Sequence, residues 1–522
     1  MLKLNNISKI ITSDSITLYW EKTEDIPTYC HYEIFVNGKM EGTTEKTHYE
    51  LENLQAQTEY ELRIVGKNSE AADAEVILLS EIMQLQTTKE KNRIDVTKAP
   101  YRAVGDGKTL NTKALQQAFD DCGAEDVVYL PKGTFMTGAL RMHSDMELYL
   151  EEGAVLQGTD VVADYLPKIK SRFEGTENES YSSLLNLGEL DRNGDYNCRN
   201  VIIRGKGTIA SGGRTLAERV IALETELLKD YLAELGDKIS ECEKPETIPG
   251  RVRPRLINMS NCQNILLSGL SLKNGASWNI HMIYSDSIVT KNCTFYSEGV
   301  WNGDGWDPDS STNCTLFGSE FYTGDDSVAI KSGKNPEGNI VNKPTKHIRI
   351  FDCMCHFGHG IAMGSEMSGG IEDVKIWDCD MGHSMFGIEI KGTKKRGGYV
   401  RQVHVRDCKV PRIMFHSVGY NDDGIGAPVP PVFENCSFEQ VEISGHYYDK
   451  HSDKDDDCDV IELCGFDEPG HELKNIVFRD IVLGAERNDR DRTENGVKSF
   501  SKFNVSLGLC ENITFERIRT RQ

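Results

Sequence analysis

The chain has 522 residues, 59 basic against 82 acidic, for a net charge of −23, and at roughly 150 residues per domain it holds two to four units, each able to bury a core. A field of that sign repels phosphate backbones and anionic bilayers, which excludes nucleic acid and membrane surfaces as partners. No apolar run reaches the roughly 18 residues of a membrane helix, and the first residues lack a signal-peptide core, so a cytoplasmic location is expected.

Residues 1 to 90 read as short strands. Ile16–Trp20 and Tyr32–Val36 alternate apolar and polar residues, and Asn37-Gly38 supplies a two-residue hairpin turn. Leu54 precedes a further strand, Thr58–Ile64, with Tyr60 at its head, where a tyrosine-corner residue stands. With Trp20, this spacing resembles a fibronectin type III domain, which implies a β-sandwich and carries no chemistry. The charged run Thr87–Arg93 is read as a linker, which assigns the sandwich to residues 1–90 and one larger domain to residues 91–522.

Thr112 to Asp120 reads as a helix placed to cover an open first coil. A second helical pattern, an insertion at about 214–236, begins with the capping box Thr215 to Glu218 and runs through Leu216, Val220, Leu223, Leu227, Tyr231 and Leu235 to Gly236. It is expected to pack on the flank of the domain, with a lid or a subunit contact as the other reading, which leaves a homo-oligomer open.

Beyond residue 200 the chain repeats itself. Units start at Asn200, Asn264, Ser287, His347, Asp373, Gln402, Asn475 and Asn512, and six positions on stand Lys206, Leu270, Cys293, Cys353, Cys379, Cys408, Ile481 and Ile518. A register of small, mostly apolar residues is what a stacked solenoid needs, because each coil buries its inward row only against its neighbours. Short β-runs between turns make the fold all-β, a right-handed parallel β-helix after the sandwich. The fifteen cysteines are then reduced thiols stacked inside, in preference to a disulfide framework or to zinc at Cys353, Cys355, His356 and His359. The run from Asp191 to Asn197 mimics a calcium loop but has its glycine misplaced, and reads as a turn. The acidic run from His451 to Asp457 reads as a solvated loop.

Two acidic clusters, Asn302-Gly303-Asp304 and Gly324-Asp325-Asp326, lie about one coil apart, which stacks Asp304 beside Asp325 and Asp326. Three carboxylates on one surface repel one another unless something uses them. A glycosidase does, with one protonated carboxyl for the leaving oxygen and one ionised carboxylate for water. A calcium site at Asn302, Asp304, Asp307 and Asp309 is the alternative. His359, between Gly358 and Gly360, and then Lys391, in Ile388-Glu389-Ile390-Lys391, follow on later coils, the glycines read as letting a sugar approach closely.

The ordered series Asn302-Gly303-Asp304-Gly305, Gly324-Asp325-Asp326, Gly358-His359-Gly360 and Ile390-Lys391 resembles glycoside hydrolase family 28, the polygalacturonases. Gly105–Thr109, Leu130–Phe135, Leu150–Ala154 and Ser277–His281 carry the resemblance along the chain, while Ser171–Gly175, Tyr181 and the leading sandwich resemble the exo-acting bacterial members. The resemblance implies a right-handed β-helix that inverts the anomeric centre, with Asp325 as general acid, Asp304 and Asp326 activating water, His359 tuning the acid, and Asn302 and Lys391 holding the sugar. With carboxylates alone as acid and base and no complete ligand set in the chain, no cofactor and no metal are expected.

One departure is chemical: the family's Arg-Ile-Lys is here Glu389-Ile390-Lys391. A carboxylate replaces a guanidinium that would clamp a uronate bidentately, so either the facing sugar is neutral or Arg396 substitutes. Trp278 and His281 are read as core residues or as sugar contacts. Basic residues that would meet a polyanion gather only around Arg172, Arg253, Arg255, Lys391 and Arg396, so short pectic oligosaccharides are expected over the polymer. The leading reading is an inverting exo-polygalacturonase-like hydrolase. A galacturonate linked to a neutral sugar as substrate, a calcium-dependent pectate-lyase-like enzyme, and a non-catalytic carbohydrate-binding β-helix are the other readings.

Overall fold

The computed structural model describes residues 2–71, 73–242, 244–449, 453–484 and 504–520, in two units, Met1–Asn92 and Arg93–Gln522. In the first, Ser8–Ile11, Ile16–Tyr19 and His48–Leu51 form one sheet, and a six-stranded sheet centred on Glu59–Lys67 forms the other. The alternating residues Ile16, Leu18, Trp20, Tyr32, Ile34, Leu62 and Ile64 meet in its core, with the Tyr32 ring edge-on to Trp20 at 5.0 Å. Asn37 and Gly38 both take positive φ, 50° and 76°, as the tight hairpin turn requires. The Tyr60 hydroxyl accepts a hydrogen bond from the Gln55 amide at 3.0 Å, closing the tyrosine corner.

The second unit is a right-handed parallel β-helix. Three parallel sheets of thirteen, eight and eleven strands run along it, and a further four-stranded parallel sheet lies towards its end. All eight unit starts occupy the left-handed region, with φ between 52° and 59°, which asparagine tolerates better than most residues. They turn the chain into the thirteen-stranded sheet, and the asparagines bond along the stack: Asn264 donates to Asn200 at 2.7 Å, Asn475 to Asn435 at 2.9 Å and Asn512 to Asn475 at 2.7 Å. Asn313 and Asn435 mark two further turns of this kind.

Inside, one continuous core contains Leu270, Cys293, Cys353, Cys379, Cys408 and Ile481. Lys206 and Ile518 depart from that register: both are exposed, Ile518 on the last described coil. Helix α1 (Thr112–Asp120) buries Leu115, Ala118 and Phe119 against the first coils.

Helix α2 (Gly213–Leu227) starts ahead of Thr215, with Gly212 at the N-cap, so the Thr215–Glu218 pair is not a capping box. Gly213 at φ 52° makes the turn that lets its amide donate to the Asn274 carbonyl at 3.1 Å. Leu216 and Val220 pack on Tyr165, Tyr181 and Ala276. Leu223, Leu227 and Tyr231 stay 42%, 65% and 50% exposed, because the apolar stripe meets the flank only over its first turns. Asp191 makes a turn, accepting from the Asn193 amide at 3.0 Å. The acidic run differs from the expected loop: His451 and Ser452 lie outside the described residues, and Lys454–Asp457 is a strand pairing antiparallel with His446–Asp449. No helix among the described residues is long and apolar enough to cross a membrane.

Candidate active site

Each expected catalytic segment sits in the turn that enters a strand of the eleven-stranded sheet. Asp304 precedes Trp306–Asp309, Asp326 precedes Val328–Ile330 and His359 precedes Gly360–Met363. Trp306 pairs with Val328, and Val328 with Ile361. That register puts Asp304, Asp326 and His359 in one row across three coils. Asp325 stands beside the row, nearer the opening, its side chain a quarter exposed.

Gly358 and Gly360, at φ 98° and 97°, serve the approach of coils rather than of a sugar: a Cβ on Gly358 would lie 2.8 Å from the Asp325 carbonyl. Along the same sheet Asp309 pairs with Lys331, and Lys391 with His416. Strand alternation then aims Glu389 and Lys391 to the same side.

The charges are distributed unequally. Lys331 Nζ donates to Asp304 Oδ2 at 2.9 Å, lies 3.7 Å from Asp307, and sits 4.0 Å over the Trp278 ring. Burial pushes the Asp304 carboxyl up to about 8; the Lys331 charge pulls against this, while Asp325 and Asp326 add to it. Asp304 Oδ1 is buried without a hydrogen-bond partner among the described residues.

Burial would raise Asp326 too, but Lys391, whose Nζ donates to it at 3.3 Å, and His359 hold it well below the usual carboxylate range. His359 Nδ1 lies 3.0 Å from Asp325 Oδ1 and 3.4 Å from Asp326 Oδ1. Burial opposes its charge, yet these carboxylates raise it to about 10. Asp325, Asp326 and His359 are also the one described group of potential metal ligands that converges, within 4.8 Å, although the imidazole is already engaged with both carboxylates.

Glu389 forms an ion pair with Lys391 at 2.8 Å and accepts from His416 Nε2 at 2.8 Å. Burial raises its carboxyl, and Lys391 and His416 together bring it below its ordinary value. Asn302 is held by Arg253, which donates to its Oδ1 at 2.6 Å while its guanidinium lies 4.2 Å over the Trp301 ring.

Three expected sugar contacts are not contacts. Arg172 has no exposed surface: it is paired with Asp309 at 2.7 Å and bonded to the Tyr284 hydroxyl. His281 is equally buried beside Asp309 at 3.3 Å, and burial holds its imidazole down at about 3. Arg396, also without exposed surface, donates to Asn335 Oδ1 at 2.7 Å and to the carbonyls of Ser365 at 3.0 Å and Asn421 at 2.9 Å. It braces the cleft wall instead of replacing the family arginine. Arg253 and Arg255 are buried as well, so of the expected basic patch Lys391 alone lines the cleft. Asp307 and Asp309 share no calcium geometry with Asp304: one lies by Lys331 and the other pairs with Arg172.

Trp278 lines the cleft while stacking on Phe173 at 4.5 Å, so it is both core and wall. The sequence reading missed Lys331, Glu366, His416 and Tyr420, which also line this cavity of about 320 Å³. Only Lys331 carried a signal, because Val328-Ala329-Ile330-Lys331 repeats the strand-end lysine of Ile388–Lys391. Arg251 bonds Glu174 at 2.7 Å and grips Asp423 through two bonds of 2.9 Å, fastening the turn at Glu174 to the loop that carries Tyr420 and Asn421, and Glu174, Tyr420 and Asn421 all line the cleft.

The sequence model of Glycosyl hydrolases family 28 matches residues 169–419, and that of the Fibronectin type III domain matches residues 5–76. Among characterised relatives, an exo-poly-alpha-D-galacturonosidase of Dickeya chrysanthemi is 24% identical over 97% of this chain and 89% of its own length. A probable polygalacturonase of Vitis vinifera is 34% identical over 59% of this chain and 58% of its own. The solved structure of a family 28 exopolygalacturonase from Yersinia enterocolitica superimposes with a TM-score of 0.78, at 22% identity, over 99% of this chain and 98% of that one.

Proposed function

We propose that this chain, a glycoside hydrolase of family 28 carrying a fibronectin type III domain, removes terminal galacturonate from pectic oligosaccharides by a single inverting displacement. The carrying observation is the row of Asp304, Asp326 and His359 with Asp325 beside it, in a cleft whose lining includes Glu174, which Arg251 ties to Asp423. The names of the relatives support exo-action on galacturonate.

In this mechanism water enters beside Asp326. Lys391 and His359 keep that carboxylate ionised, so it takes the water proton as the oxygen attacks C1. The C1–O bond breaks, and Asp325 delivers its proton to the departing oxygen. His359 Nδ1, at 3.0 Å from Asp325, faces the carboxylate left behind. Asp304, its Oδ1 aimed without a partner, holds the water. Attack opposite the leaving group inverts the centre; an oxygen of Asp325 and one of Asp326 lie within 4.8 Å of each other, closer than the roughly 6.5–9.5 Å usual between the carboxyls of an inverting pair.

A second reading assigns the acid to Asp304, because burial holds its proton up to about 8. Asp325→Asn and Asp304→Asn tested on an alkyl galacturonoside and on an aryl galacturonoside with a good leaving group separate the two. The variant that lost the acid is expected to fall at least 10³-fold on the alkyl substrate and to recover on the aryl one. Proton NMR of the first-formed sugar checks inversion; a product retaining the substrate's configuration overturns the mechanism.

A further inference from the structure

Lys331 is a buried cation in the cleft to which the mechanism above gives no task. Its backbone is fixed just past the strand Val328–Ile330: the amide donates to the Pro308 carbonyl at 2.8 Å, and the Lys331 carbonyl accepts from the Thr345 hydroxyl. The side chain, 4% exposed, reaches back to the preceding coil. There Nζ donates to Asp304 Oδ2 at 2.9 Å, lies 3.7 Å from Asp307 Oδ2, and rests 4.0 Å over the Trp278 ring. Lys391 repeats the arrangement at Asp326, donating to its Oδ2 at 3.3 Å.

This contact decides which oxygen of Asp304 is left for the reaction. An ammonium donates and cannot accept, so Oδ2 is an acceptor towards Lys331, and any proton on Asp304 has to sit on Oδ1. Oδ1 is the oxygen buried without a hydrogen-bond partner among the described residues, and Asp304 lines the cleft. Of the charges around the pair, Asp325 and Asp326 on the next coil act against ionisation of Asp304, and Lys331 acts for it. Asp307, with neither oxygen hydrogen-bonded among the described residues, is pushed well above its ordinary value by burial, so the lysine charge serves chiefly Asp304. His281, opposite Asp307 in the strand register, is neutral, because burial holds its imidazole down at about 3. Burial also works against the charge on Lys331, and the carboxyls of Asp304, Asp307 and Glu366, the last on the following coil, more than offset it.

We propose that Lys331 is a positioning residue of the hydrolase: by holding Oδ2 of Asp304 it presents Oδ1 to the attacking water. A cation at that distance also favours the ionised carboxylate over the neutral acid. The inference rests on the proposed hydrolase, with Asp304 as the group that holds the water.

The test is the full-length Lys331→Met variant, which keeps an unbranched side chain and loses the donor and the charge, assayed on digalacturonate. The expected result is a kcat roughly 100-fold lower with KM within about threefold of wild type, the pattern of a contact used in the transition state. Infrared difference titration of the Asp304 carboxyl, identified by the band that Asp304→Asn removes, should move its midpoint up by about one pH unit, because the cation that favours ionisation is gone. Lys331→Arg keeps the charge and should bring that midpoint back to the wild-type position. Asp304→Asn combined with Lys331→Met removes the carboxylate together with its cation, so no buried charge is stranded even where Lys331→Met alone fails to fold. Its residual kcat should match that of Asp304→Asn within about threefold, since a residue that acts through Asp304 adds nothing once Asp304 is gone. A further loss of about tenfold in the double variant, an unmoved Asp304 midpoint, or a loss confined to KM overturns the inference and leaves the hydrolase intact. Absence of galacturonate release by the wild type overturns the hydrolase reading and the inference with it.

Discussion

His359 keeps its proton far past the point where a free imidazole loses it, because two carboxylates lie within 3.4 Å of Nδ1. Its folded value of about 10 stands above the unfolded value of about 6.5. The stability it contributes is therefore complete below about pH 6.5 and is lost as pH rises towards 10. Urea midpoints of wild type and His359→Gln are expected to differ most near pH 6 and to converge by pH 10, and the wild-type kcat/KM profile should show no step near 6.5. Arg396 gives a second prediction at this scale. Arg396→Ala leaves the buried carbonyls of Ser365 and Asn421 without their donor, at about 1–3 kcal/mol each. Melting temperature should drop, and kcat/KM should fall by the same factor on charged and neutral substrates; a loss confined to galacturonate aglycones would return Arg396 to direct recognition. Because the acid and base are carboxylates and His359 already engages Asp325 and Asp326, activity is expected to survive exhaustive chelation. Loss that calcium restores would favour the lyase reading.

Each coil is held by what it repeats. Cys353, Cys379 and Cys408 follow one another inside, and aromatic rings stack from coil to coil, Phe317 on Phe351 at 4.8 Å and Phe351 on Trp377 at 4.4 Å. Such rows are non-directional and tolerate an isosteric apolar change, whereas a hydroxyl in the same place would be buried in an apolar row. The asparagine turns are directional. Asn475 donates to Asn435 and accepts from Asn512 while sitting at φ 59°. Asn475→Ala should cost about 1 kcal/mol, since exposed hydrogen bonds lie at the low end of their range. Asn475→Val should cost more, because a β-branched residue is strained in the left-handed region. Denaturant titration of the two variants checks the order, and an equal loss would mean that conformation contributes nothing there.

Two separate cores, one around Trp20 and Ile34 and one along the β-helix, predict two calorimetric transitions, the smaller belonging to the sandwich. All fifteen cysteines are free thiols, thirteen of them buried. Protein purified without reductant and then denatured should titrate fifteen thiols, and fewer would reveal pairing that the fold does not contain. The net charge of −23 acts at the same scale, slowing the approach of any polyanion in low salt.

Sequence alone determined what is periodic or local. The alternation around Trp20 and the Asn37-Gly38 turn specify a sandwich, and repeated unit starts followed six positions on by a small, mostly apolar residue specify stacked coils, because each coil meets the same problem of burial as the last. Motif order likewise brought Asp304, Asp325, Asp326, His359 and Lys391 to one surface. What it could not determine was which charges end up facing one another and which face solvent. Arg172, Arg253, Arg255 and Arg396 read as a binding groove, yet all are buried in contacts reaching across the chain, Arg172 to Asp309 and Arg396 to Asn335. His416 entered the site only through strand register, and Glu389 acquired its meaning from Lys391 and His416 at 2.8 Å. Burial and pairing depend on residues distant in the chain, and only the assembled coils set those distances.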